Sequence, residues 1–591
     1  MPRTRKFRPL ERGTSMRLLL DGSQGLAGTD TWAGQPTSAR AAAWTRAPEA
    51  VFAALLVLGI VPIWLVPHVP TQDGANHVES VMALLRWPGS ALLQHHYLPN
   101  YGLQPNWLTQ VLFAGLVQVF SPRAAEKMVL TGYLLFLPLA FRFALPRTTR
   151  GRWAALAIFP FLHSYPFHMG FWNFSHSLAL FFVAIGFWYR TRGRLGFRRG
   201  LVFTALTGVL FVAHSVSTCA ALAVITSILA WRGGLGLASA RGRPARRRAV
   251  LRGYLRRATA TYAFASPAIV LLGAFLVRQP KPLVYRPPLL DYAKHFASLY
   301  SLVSFDRWEL VLTGAVSIAI ALAVAASWRE RSRRRLRPVD GWIAAAGVAS
   351  ALYFLTPDSV ADGAQLTDRL GLYPFFAALL WLAYSSASTR RVRALAVALT
   401  VAFLAGTAFR FAKYREIDGY LAEYESVAPR IAEGSTILPL TLSPFGPRAG
   451  GRIDGKKLLS YRVQAFQHTT GYIATDRHGI DLDNSQANTH HAPLRWRPEL
   501  NPFTYLSTRP FGVESEPPCV ELWVYTMLGG RIDYVLLWGD TEAAAKDECG
   551  SAVLAELAAS YERVFVSHPR GLAQLYRPRA AKAVVPASGG G

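Results

Sequence analysis

The chain has 591 residues, with 64 Lys+Arg against 35 Asp+Glu, a formal net charge of +29 and a pI near 10.4. Such a charge fits a nucleic-acid-binding protein, but 51% hydrophobic and only 17% charged residues, with a mean hydropathy of +0.21, exclude a soluble basic protein or a disordered arm. Residues 410–591 hold 20 cations and 20 acids, so the whole excess lies in the more apolar first 409 residues, and nucleic acid is not an expected partner.

Residues 1–48 read as a basic, disordered cytoplasmic tail carrying eight cations from Arg3 to Arg46. The apolar run Glu49–Val66 is close to the ~20 residues a bilayer crossing needs. No small-residue cleavage site follows promptly, so it is expected to be a retained signal anchor. Ten further apolar runs follow, at 127–145, 153–166, 175–189, 200–213, 215–231, 260–277, 308–328, 341–356, 370–388 and 394–409. The expectation is a polytopic α-helical membrane protein of about eleven spans, with residues 49–409 as its transmembrane domain.

Charge orients this domain, because cytoplasmic loops collect Lys and Arg. With the N-terminus inside, the inner segments carry 34 cations and the outer loops 68–126, 163–174, 278–307 and 357–369 carry 8. The C-terminal region, 410–591, is then extracytoplasmic, and the expected location is the cell (inner) membrane. All 14 histidines fall on the outer side or at outer span ends. Arg-rich inner loops leave little room for histidine, but outer-face ligand or proton-transfer chemistry gives the same distribution.

The first outer loop, 68–126, holds two amphipathic or apolar stretches, Asn76–Trp87 and Trp107–Phe120, which read as helices lying in the membrane interface. The region 410–591 reads as a soluble α/β domain. Ser435–Leu440 and Ile532–Trp538 are expected strands, Glu542–Tyr561 a helix, and Arg563–Ser567 with Leu572–Tyr576 a hairpin. Cys519 and Cys549 lie on the oxidising side and are a disulfide candidate. Cys219 lies inside a span and is expected to be a small packing residue.

Directly after the first span comes Pro70-Thr71-Gln72-Asp73-Gly74-Ala75-Asn76-His77. Asp73 and His77 are four residues apart, so on a helix they share a face, and a carboxylate beside an imidazole suits acid/base or metal chemistry. Asp73 also suits the N-cap of the helix that follows, and the two roles are compatible. The loop His163–His176 contributes His168, Asn173 and His176, with His214 at the next outer turn, as groups able to stabilise a departing phosphate or simply to bond local partners. Arg369, at the membrane edge, suits bidentate grip of a lipid phosphate, or an ion pair with Asp368 or Asp362. Lys281, Arg286, Asp291, Lys294 and His295 are placed to line a lipid-sugar entrance. Gln467–Tyr472 and His490-His491 are polar clusters that could meet an acceptor, but with no catalytic spacing they read first as surface or packing features. Nothing in the chain has the spacing of a nucleotide cofactor motif.

A carboxylate in a large first outer loop, interfacial helices, about eleven spans and an exported C-terminal α/β domain resemble the GT-C superfamily of polyprenyl-phosphate-sugar-dependent glycosyltransferases. The stretch Trp107–Lys127, ending Phe-Ser-Pro-Arg-Ala-Ala-Glu-Lys, resembles what these enzymes place before span two. The resemblance implies an inverting sugar transfer from a lipid-phosphate donor to an acceptor hydroxyl on a glycan, lipid or protein, with Asp73 matching the family's first-loop acid. Some relatives add a second carboxylate, often with a divalent metal, in the second outer loop. This loop has no acid, so metal use in that style is not expected, and a site built from Asp73, His77 and the histidines stays open. The alternatives are a transporter or lipid flippase, against which the spans carry almost no ionisable residues, and a non-enzymatic membrane protein with an exported binding domain.

Overall fold

The computed structural model describes residues 39–102, 104–279, 284–330, 336–359, 363–446, 458–506 and 519–579. Most of the tail expected over 1–48, and Lys281 and Asp362, lie outside the described residues. The chain divides into two units between Val51 and Phe52, and apart from the first part of α1 everything described below belongs to the second.

In chain order the elements that position the site are α1 (Ala39–Trp64), α2 (Gly74–Arg86), β1 (Tyr97–Pro99), α3 (Leu108–Leu116), α4 (Pro122–Ala144), α5 (Trp172–Arg190), α6 (Phe197–Ala213), α7 (Ser215–Ala238) and α8 (Pro244–Val277). Next come α9 (Glu309–Arg329), α10 (Gly341–Leu355), α11 (Leu366–Leu370), α12 (Tyr373–Tyr384) and α13 (Thr389–Glu425). The last part holds β2 (Thr436–Thr441), α14 (Thr470–Asp476), β3 (Ile480–Asp481), β4 (Leu494–Trp496), β5 (Tyr534–Trp538), α15 (Glu548–Ser560), β6 (Tyr561–Val566) and β7 (Ala573–Pro578).

Among the described residues seven helices are long and apolar enough to cross a bilayer: Ala47–Trp64, Pro122–Ala144, Ser215–Ala238, Pro244–Val277, Glu309–Arg329, Pro338–Leu355 and Thr389–Arg430. With the strand-bearing region that follows, this is the make-up of a multi-pass helical membrane protein. The other four expected runs are also helical but shorter, interrupted or more polar. Thr149–Ala155 passes into a 3-10 turn at Leu156–Phe161, α6 has 17 residues and α12 only 12, while α5 opens with Asn173, Ser175, His176 and Ser177. Nearly all of α12 and most of α5 are buried, so their neighbours rather than lipid solvate them. Local chemistry sets the breaks. Ser121 and Ser388 cap α4 and α13 through backbone N–H groups of Ala124 and Arg391. His214 adopts an extended conformation between α6 and α7, so the two runs meeting there are separate helices.

The boundary expected at 409/410 is not a break. α13 runs unbroken for 37 residues, about 55 Å at ~1.5 Å per residue, well beyond a bilayer's hydrocarbon thickness. It delivers the chain to a five-stranded sheet of order β3-β2-β5-β7-β6. β2 is parallel to β3 and β5, whereas β5, β7 and β6 are antiparallel, β6 and β7 forming the expected terminal hairpin. Asp547 caps α15 by accepting from the Cys549 and Gly550 N–H groups, and Cys549 is bonded to Cys519 with Cα atoms 4.7 Å apart.

The 68–126 segment belongs to this body. β1 pairs antiparallel with β4, Tyr97 opposite Trp496. Leu93 and Tyr97 share one apolar core with Leu438, Leu440, Val535 and Leu537 of the sheet. α2, expected to lie in the membrane interface, is instead buried along nine of its thirteen residues. Its polar face carries Asn76, Glu79 and Ser80, and these meet Ser485, Asp481 and Asn484 of the C-terminal region. α3 keeps Val111 and Leu112 exposed, as an interfacial helix would.

Candidate functional site

A cavity of about 1040 Å³ opens where the helices meet the C-terminal region, and Asp73 lines it. Asp73 occupies the N-cap position of α2, but its side chain makes no capping hydrogen bond. Its backbone is held by a short pairing with the Tyr165–Gly170 turn. The Gln72 N–H donates to the His168 carbonyl (2.9 Å) and the Asp73 N–H to the Met169 carbonyl (3.0 Å). Gly170 makes this approach possible: its φ is +80°, and a Cβ there would lie 2.9 Å from the backbone nitrogens of Asp73 and Gly74. Burial raises the Asp73 pKa to about 6, while the charges of His468 and Arg369 hold it from rising further.

His77, the expected partner of Asp73, does other work. Its Nε2–H donates to the Gly170 carbonyl (3.0 Å), its Nδ1 accepts from the Gln110 amide (3.3 Å), and its ring lies 4.7 Å from that of Trp172. Both nitrogens are spent and burial lowers the pKa to about 4, so His77 is a neutral strut rather than an acid or base. Asn173 continues the strut, donating to Gln110 Oε1 and the Asn106 carbonyl and accepting from the Thr109 N–H. It touches the cavity with its polar atoms already used. His168 is outside the lining, bonded between Ser304 (2.8 Å) and Tyr414 (2.7 Å), and His176 bonds the Trp172 carbonyl one turn back. The expectation that these two histidines bind the donor phosphate is therefore corrected. Each is a buried polar group satisfied within the scaffold.

The imidazole that faces Asp73 is His468, from the C-terminal region. Its Nε2 is 3.9 Å from Asp73 Oδ1, and its Nδ1 is 3.1 Å from Asp483 Oδ2. Burial works against the charged ring, but Asp483, aided by Asp73, holds the His468 pKa above the ordinary value. Behind it Glu79, Asp481 and Asp483 are all buried, and burial pushes each carboxyl pKa up, with mutual repulsion adding for Glu79 and Asp481. His468 and Gln467, read from sequence as surface or packing, thus line the cavity, as does His491. Their signal is the stretch Asp481-Leu482-Asp483-Asn484, acids set among apolar residues at the end of a strand.

Arg369 and His214 also line the cavity. Asp368 does not pair with Arg369; it bonds Arg462 at 2.7 Å. Arg462 is further held between the rings of Tyr165 and Tyr300 and by the carbonyls of Tyr300 and Val303. The Arg369 guanidinium stacks 4.3 Å over Phe171, and its Nε has no partner. His214 Nδ1 accepts from the Val216 N–H, which leaves the ring proton on Nε2. Arg286, Asp291, Lys294 and His295 stand outside the described lining. Instead, the helices supply an apolar wall of Val216, Cys219, Ala220, Phe275, Leu276 and Leu352. Among the described residues no group of three His, Cys, Asp or Glu side chains is arranged to hold a metal ion.

The sequence matches no protein-family model, and a search of curated proteins returns no match.

Proposed function

We propose that this chain is a membrane glycosyltransferase of the GT-C type, moving a sugar from a polyprenyl-phosphate donor to an acceptor hydroxyl with inversion. The observation that carries the reading is the make-up of one cavity. A largely buried carboxylate with a raised pKa, an arginine with an unpartnered Nε and an apolar wall built from membrane-length helices converge there. A polyprenyl phosphate has the same three parts: an isoprenoid tail, a phosphate and a sugar at the polar end.

In this mechanism the acceptor oxygen attacks the anomeric carbon while Asp73 takes its proton. The bond from the anomeric carbon to the phosphate oxygen breaks, and the electron pair leaves with the polyprenyl phosphate. Arg369, with the Nε2–H of His214, meets the charge developing on that phosphate. His468, held by Asp483, keeps Asp73 ionised until it is needed. No step uses a metal. In this reading the four shorter helices complete eleven crossings, and the 34-to-8 division of cations supports a cytoplasmic N-terminus and a cavity on the extracytoplasmic face of the cell membrane.

The test is glycosyl transfer in membranes supplied with polyprenyl-phosphate sugars. Asp73→Asn is expected to reduce transfer by about 10²–10⁴-fold with thermal unfolding unchanged. Full activity in that variant would remove Asp73 from the role of base.

A further inference from the structure

We infer that the half of the cavity walled by residues 464–491 binds an uncharged, polyhydroxylated acceptor, a carbohydrate chain end, rather than an anionic or apolar one. This rests on the glycosyl-transfer reading of Asp73. Gln464, Gln467, Ser485, Gln486, Asn488 and Thr489 line that half with His468 and His491, no Asp, Glu, Lys or Arg of the 464–491 stretch lines it with them, and the charge of His468 already faces Asp73 and Asp483. Amides and hydroxyls both donate and accept, the pattern that sugar hydroxyls complement.

Unused capacity points the same way. Gln467 is only 4% exposed, yet its Oε1 has no partner, and the buried Oε1 of Gln365 on the helical side of the cavity has none either. A buried amide oxygen left unbonded carries a desolvation penalty that an incoming hydroxyl donor removes. Phe445 lines the same cavity and adds aromatic surface suited to the C–H face of a sugar.

Other acceptor classes fit poorly. A uronate or phosphate in this half would meet Asp73, while His468 already faces Asp73 and Asp483 and both Nη groups of Arg462 are engaged by Asp368, Tyr300 and Val303. An apolar acceptor would seal the amides from water with nothing to bond them.

The experiment uses the full chain in lipid nanodiscs and saturation-transfer NMR. Neutral gluco-, manno- and arabino-oligosaccharides are compared with oligogalacturonides of equal length, in the wild type and in Gln467→Ala and Gln486→Ala. At least one neutral oligosaccharide is expected to bind at least tenfold more tightly than the oligogalacturonides and to lose at least fivefold in one of the two variants, with melting temperatures unchanged. Preferential binding of the anionic series, neutral binding indifferent to both substitutions, or no carbohydrate binding would each overturn the inference. Polyprenyl phosphate binding, measured separately by native mass spectrometry in the wild type and Arg369→Ala, separates the two readings. Arg369-dependent lipid binding without carbohydrate binding leaves the donor half standing and the acceptor inference overturned. Carbohydrate binding without lipid binding does the reverse.

Discussion

Asp73 shows how one residue can satisfy a local rule and escape it. It stands at the N-cap of α2, where aspartate is favoured, but the carboxylate makes no cap bond and faces the cavity and His468 instead. Ionised Asp73 is the form that accepts a proton. With its pKa at about 6, transfer is expected to fall as pH drops through that value, and to be flat on its alkaline side until another group titrates. His468 lowers the Asp73 pKa, so His468→Gln is expected to move the acid limb of the pH–rate profile upward. A lost packing contact would lower the rate without moving the limb, and an unmoved limb between pH 5 and 8 would remove His468 from this role. Asp73 was legible because its motif follows the first span directly. His468 was not, because its partners Asp73 and Asp483 are brought to it by tertiary contacts that no local spacing encodes. His77 was misplaced for the converse reason: the four-residue spacing was right, but Gly170 and Gln110 had already claimed both ring nitrogens.

Elements meet here through charged clamps. His68, just beyond α1, lies with its Nδ1 2.7 Å from Asp418 and its Nε2 3.2 Å from Glu425, both on α13, and Arg123 of α4 bonds the same Glu425. Burial disfavours the charged ring, but Glu425, and then Asp418, outweigh burial and the opposing charge of Arg123, so the His68 pKa is raised. A raised histidine pKa gives stability that is fully present below the unfolded value of 6.5 and lost as pH rises through the folded value. His68→Asn is therefore expected to cost about 1.5–3 kcal/mol near pH 6, the scale of hydrogen bonds to charged groups, and progressively less in alkaline buffer. Urea titration of the detergent-solubilised protein at several pH values measures this, and a cost that grows with pH would contradict the clamp. The amphipathic pattern of α2 was legible as a helix with two faces. What covers its polar face was not, since a headgroup layer and a protein surface ask for the same residues. The acids Glu79 and Asp481 show that a protein surface won.

At the scale of the molecule, the site belongs to two stretches of chain that fold as one. β1 of the 68–126 segment pairs with β4 of the C-terminal region, and Gln72 Oε1 accepts from the Gln464 N–H across the same junction. Both must lie on one side of the membrane, and the proposed orientation makes that side extracytoplasmic. Glu433 is exposed near the sheet and Arg243 is exposed before α8. Glu433→Cys is expected to react with a membrane-impermeant maleimide in intact cells, and Arg243→Cys only after permeabilisation. The opposite labelling would invert the topology and with it the compartment in which donor and acceptor meet.

Sequence by itself determined the helical character of the chain with its membrane-length apolar helices, the strands at Thr436–Thr441 and Tyr534–Trp538, the terminal hairpin and the choice of Asp73, which lines the cavity, as a candidate. These follow from hydropathy, periodicity and charge, which act over one or two turns and need no distant partner. Tertiary structure alone decided that α13 carries straight through the supposed domain boundary, that His168 and His176 are scaffold, and that Asp73 faces His468. For the histidines and Asp73 the deciding energy is the desolvation of a polar group, and which group ends in a cavity and which is satisfied in the core depends on what the rest of the fold packs against it.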